Sequence, residues 1–88
     1  MSRGEELFGI TYEKGETIFS HGDLGDTMYV IQSGAVEISR LQDGKKAVLA
    51  LLDHNDLFGE MALVDNHPRS ATATAISRSR LLPFTRTS

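Results

Sequence analysis

No stretch of ten or more residues in this chain repeats its apolar positions at helical spacing, so helices cannot build its core. Glycine divides the chain instead. Gly15, Gly22, Gly25, Gly34, Gly44 and Gly59 cut it into short segments whose spacing suits an all-β barrel or sandwich. Thr17–Ser20 is the first strand expected, and His21–Asp26 is a turn-rich loop. Thr27–Gln32 is aromatic and β-branched, as strands prefer. Ala35–Ser39 alternates, which places Val36 and Ile38 on one face. Asp43-Gly44 reads as a hairpin turn leading into a strand over 46–52. That strand is apolar on both faces, and burial is expected for it. Ser70–Ala75 alternates strictly, with alanines on one face that invite close packing. Arg80–Phe84 closes the series, and Pro83 marks it as an edge or a strand end.

Size and composition narrow the function. The 88 residues suffice for one domain, and size scaling leaves about 64% of the unfolded surface buried. With 40% hydrophobic and 24% charged residues the chain reads as globular. No cysteine is present, which excludes disulfides, a Cys-ligated zinc and a thiol nucleophile. No apolar run is long enough for a transmembrane helix, and Met1–Glu6 lacks a signal-peptide pattern, so cytoplasm is the expected location. A net charge of −3 argues against a nucleic-acid binder. The charge is uneven, however. Residues 1–44 hold eight acids and three bases, and residues 45–88 hold four acids and six bases. From Arg69 onward there are four arginines and no acid. Either a basic surface or a positive site for an anion accounts for this.

Phe58–Ala73 carries the chemistry of an anion cradle. Gly59 lets main chain approach a ligand. The amides of Glu60, Met61 and Ala62 open a short helical turn over Glu60–Val64, and free amides at a helix start favour a phosphate. Arg69 offers an always-charged fork for phosphate oxygens, and Ser70 adds a hydroxyl. Glu60 repels phosphate, but it suits a neighbouring sugar hydroxyl and can pair with Arg69 when no ligand is bound.

Phe58-Gly59-Glu60-Met61-Ala62-Leu63, a short spacer and Pro68-Arg69-Ser70-Ala71-Thr72 resemble the phosphate-binding cassette of the cyclic-nucleotide-binding domain family. Upstream, Tyr12–Phe19, Gly22-Asp23 and Met28–Val36 are similar to that family's early strands, so the resemblance runs from about Phe8 to Phe84. It implies an eight-stranded β-roll of jelly-roll topology with one short helix in the cassette. The implied ligand is cyclic AMP or cyclic GMP, with no cofactor and no metal. Arg69, Ser70 and the amides of Ala62 and Ala71 are implied to hold the cyclic phosphate. Glu60, helped by the Gly59 main chain, is implied to hold the ribose 2′-OH. Ile38 and Leu49 are implied to face the base.

Two departures from the family pattern shape the expectations. The flanking helices that cap the base have no counterpart within Met1–Ser88. An effector on another chain, self-association of an uncovered apolar surface, and weak binding with little choice between adenine and guanine are therefore expected. Asn55 stands where glycine is usual, a mild change because asparagine tolerates positive φ. Two other classes compete. A cupin-like metalloenzyme needs clustered histidines, but His21, His54 and His67 are scattered, and no nucleophile is arranged beside Glu60 and His67. A degenerate roll that binds a protein instead of a nucleotide is opposed by Glu60, Arg69 and Ser70 standing together, since none of them helps a core.

Overall fold

The structure, a computed structural model, describes residues 9–61 and 67–85. Among them eight strands form two four-stranded antiparallel sheets. In chain order they are β1 (Ile10–Tyr12), β2 (Thr17–Phe19), β3 (Thr27–Ser33), β4 (Val36–Gln42), β5 (Lys45–Leu52), β6 (Leu57–Phe58), β7 (Thr72–Ala75) and β8 (Ser79–Thr85). One sheet runs β1-β8-β3-β6 and the other β2-β7-β4-β5. Apart from β4 and β5, successive strands thus switch sheets, as in the expected β-roll. The helical turn expected over Glu60–Val64 falls mostly on residues 62–66, outside the described residues.

The inner faces meet in a small core. Ile31, Val36, Phe58, Ala73 and Leu81 are buried, with Tyr12, Ile18, Phe19, Tyr29, Ile38 and Leu52 packed around them. Each large side chain fully removed from water contributes about 1.5–3 kcal/mol. The alternation over Ser70–Ala75 finds its reason here. Ala71, Ala73 and Ala75 point inward, and Ile38 of β4 stands opposite Ala73, where a larger residue would push the sheets apart.

Turn chemistry sets the register. Asp43 and Gly44 both have positive φ, 55° and 77°, as a two-residue hairpin between β4 and β5 requires. Asn55 takes φ 73°, the conformation for which glycine or asparagine is suited. Its turn is closed by Asp56, whose carboxylate accepts from the Asp53 amide at 2.9 Å.

The burial expected for residues 46–52 does not hold. β5 is the last strand of its sheet, with β4 as its sole neighbour there. Val48, Leu49 and Leu51 are exposed, so a strand apolar on both faces lies at an edge and not inside. Its ladder also slips, since Ile38 pairs with Ala50 but Ser39 with Val48, which leaves Leu49 as a bulge residue. Pro83 behaves as expected. It lies beyond Leu81, the last β8 residue paired with β1 among the described residues, so β8 has one neighbour at that point.

Candidate functional site

β6 ends at Phe58, and Gly59 (φ 79°) turns the chain out of the sheet. The return segment His67–Ala71 leads into β7. Between these two segments lies a cavity of about 540 Å³, open to solvent on one side. Ile38, Gly59, Glu60, Met61, Arg69, Ser70 and Ala71 all line it. The structure therefore brings together seven of the nine residues singled out from sequence. Leu49 does not line the cavity, because the bulge places it at the β5 edge, 47% exposed. Ala62 lies outside the described residues. Phe19, Leu57 and His67 also line the wall. Leu57 and His67 flank the cassette and could have been found by proximity. Phe19 lies forty residues upstream of Gly59, and its place depends on tertiary structure.

Arg69 is the centre of the site. It is 8% exposed, which is rare for an arginine. Its backbone is tied to the loop after β2: the Arg69 amide donates to Asp23 O, and Arg69 O accepts from the Gly22 amide, both at 2.8 Å. Its Nη2 donates to Thr27 O at 2.8 Å and its Nη1 to Gly59 O at 3.3 Å. The guanidinium carbon lies 4.1 Å from the centre of the Phe19 ring. Nε is buried with no hydrogen-bond partner among the described residues.

The ion pair expected between Glu60 and Arg69 is not formed. Among the described residues no carboxylate pairs with Arg69, and Glu60 is exposed. Two neutral main-chain carbonyls hold the guanidinium in its place. Carbonyls satisfy N–H groups without cancelling charge, so the guanidinium at the cavity wall keeps its positive charge, and its buried Nε has no partner among the described residues. A buried cation in that state is stabilised by an incoming anion, each charge-assisted hydrogen bond contributing about 1.5–3 kcal/mol.

Two glycines make room for this arrangement. A Cβ on Gly25 would meet Arg69 Nη2 at 3.0 Å. One on Gly59 would meet Nη1 at 2.9 Å and Thr27 O at 3.1 Å, on a backbone with positive φ. Gly59→Ala is therefore expected to displace the guanidinium. It should cost about 1–3 kcal/mol in urea-melt stability and at least about tenfold in affinity for an anionic ligand at this site. An alanine variant with unchanged stability and affinity would show that the close approach is not required.

Comparison with known proteins bears on the family and the fold. Residues 10–88 match the sequence profile of the cyclic nucleotide-binding domain. A CRP-like cAMP-activated global transcriptional regulator of Mycobacterium tuberculosis is 35% identical over 83 residues, covering 93% of this chain and 37% of that protein. The chain thus spans little more than a third of that relative's length. The structure of the Thermus thermophilus catabolite activator protein superposes with a TM-score of 0.87 at 39% identity, covering 98% of this chain and 41% of that one. The EAL enzyme Bd1971, solved in a cAMP-bound and a cGMP-bound form, superposes with a TM-score of 0.85 at 39% identity. The cAMP-bound match covers 90% of this chain and 22% of that one. Among the described residues no helix is long and apolar enough to cross a membrane.

Proposed function

This chain belongs to the cyclic nucleotide-binding domain family, and from that premise we propose that it binds a 3′,5′-cyclic purine nucleotide in the cavity at Arg69 as the sensing module of a regulatory protein. The observation that carries this reading is the buried guanidinium, held by carbonyls, unpaired with any described carboxylate, and left with an unused Nε. Arg69 takes the cyclic phosphate, joined by the Ser70 hydroxyl and the amides of Ala62 and Ala71. Glu60, beside the Gly59 main chain, accepts from the ribose 2′-OH. Ile38 and the apolar wall around it receive the base, with Leu49 at the strand edge beyond. Among the described residues, Arg69 and Glu60 are the wall residues with formally charged side chains. Their charges sum to zero, which suits a cyclic diester with one negative charge better than a linear monophosphate with two. Recognition without turnover is the role that fits a wall whose one described carboxylate, Glu60, is engaged by sugar.

Calorimetric titration with cyclic AMP, cyclic GMP and 2′-deoxy cyclic AMP tests the reading. Cyclic AMP and cyclic GMP are both expected to bind. The 2′-deoxy compound is expected to bind at least about tenfold more weakly, because Glu60 loses its partner. Equal affinity for the deoxy compound would remove Glu60 from the site. The absence of binding by both ribonucleotides would replace this reading with that of a roll retained for protein contacts.

A further inference from the structure

Among the described residues the guanidinium of Arg69 has three constraints, and two of them are hydrogen bonds in its own plane, to Thr27 O and Gly59 O. In-plane bonds leave the group free to rock about the line joining the two acceptors. The third constraint acts on its face. The Phe19 ring lies beneath the guanidinium at 4.1 Å, within the range of a cation–π contact. That ring is itself held. Phe58 is 5.9 Å away at 43° and Tyr29 is 6.2 Å away at 32°, and those two rings stack on each other at 5.3 Å. Phe19 is at once the last residue of β2 and part of the cavity wall. Its aromatic platform is anchored in the sheet formed by β3 and β6, while its face toward the cavity carries the cation.

We infer that Phe19 is a positioning residue for the anion: its ring face holds the Arg69 guanidinium in the plane in which it meets the phosphate. This inference rests on the cyclic-nucleotide reading above. A preorganised donor binds more tightly than one that must be ordered on binding. An aliphatic residue at position 19 fills most of the same space but offers no quadrupole to the cation. The role differs from core packing, because it acts through Arg69 alone. Lysine at position 69, a point charge on a flexible stem, does not stack as the planar fork does, so it gains little from the ring.

The experiment is a double-mutant cycle on the full chain, read by calorimetry with cyclic AMP and by thermal melts without ligand. Phe19→Leu is expected to weaken binding about tenfold with Arg69 in place, and less than about twofold in an Arg69→Lys background. Phe19→Tyr, which keeps the ring, is expected to retain affinity within about threefold. Should Phe19→Leu fail to fold, Phe19→Met, of similar volume and equally non-aromatic, is judged by the same criteria. Equal losses in the two backgrounds would assign Phe19 to packing only and overturn the inference, as would unchanged binding by a folded Phe19→Leu. If the unmutated chain binds neither cyclic AMP nor cyclic GMP, the functional reading fails and this inference fails with it. If the unmutated chain binds and the cycle shows no coupling, this inference fails alone.

Discussion

Arg69→Ala is expected to lower the affinity for cyclic AMP by about 30- to 900-fold, the equivalent of about 2–4 kcal/mol. The loss exceeds that of an ordinary hydrogen bond because a buried, permanently charged donor is removed from a ligand that carries the complementary charge. Arg69→Lys should recover little of it. The ammonium keeps the charge, but it cannot donate to Thr27 O and Gly59 O and still present a third N–H in the same plane. The fold should survive, because the core of Ile31, Val36, Phe58, Ala73 and Leu81 does not include Arg69. Calorimetry on a variant shown by its melt to be folded decides the point. Wild-type affinity in folded Arg69→Ala would place the ligand elsewhere.

The largest effect on stability is expected at Gly34, which does not line the cavity. It joins β3 to β4 with φ 95°, and a Cβ there would lie 2.3 Å from Ser79 Oγ, 2.5 Å from Arg78 O and 2.6 Å from Ser79 Cα. Two of those three atoms are main chain and cannot rotate aside. Ser79 is itself fixed: fully buried, its hydroxyl accepts from the Ala35 amide at 3.1 Å and donates to Ser77 O at 2.8 Å. Gly34→Ala is therefore expected to cost about 3–5 kcal/mol. A domain of this length has about 4–13 kcal/mol in total. Gly44→Ala is the control. It also has positive φ, 77°, but nothing within 4 Å of the added methyl, so about 1–2 kcal/mol is expected. Equilibrium urea unfolding of the two variants separates steric conflict from backbone conformation. Equal losses would show that the contact with Ser79 relaxes freely.

Much of this architecture is legible in the amino-acid sequence. β4 and β7 announce themselves through alternation, β3 through its aromatic and β-branched residues and β8 through its apolar run, and Asp43-Gly44 announces its hairpin, because these signals are local. β1 and β6 do not, since strands of three and two residues are too short to display a period, and β2, equally short, shows only through its place between Gly15 and Gly22. The edge position of β5 is also hidden. A run such as Ala47–Leu52 reads the same in an interior strand and in an exposed one, and the sheet order that separates the two is a property of the whole chain. In the site, Gly59, Glu60, Arg69 and Ser70 can be found because their chemistry is unusual for a core. What holds Arg69 is illegible for the opposite reason. Thr27 and Gly59 act through main-chain carbonyls, which every residue possesses, and Phe19 resembles any apolar strand residue.

The order of strands in the two sheets has a consequence for how the site comes into being. Apart from β4 and β5, no two adjacent strands in the sheets are joined by a short hairpin. Non-local pairing of this kind slows folding, because loops must close before the contacts that reward closure exist. Arg69 emerges from the ribosome 42 residues after the Thr27 carbonyl that orients it, and after the Gly22 and Asp23 groups that fix its backbone. A growing chain that ends before Arg69 has these carbonyls but not the guanidinium they hold. On the proposed reading, nascent chains that end before Arg69 cannot grip the nucleotide, and the site is complete only once β7 and β8, which follow Arg69, have joined the strands that carry Phe19 and Thr27.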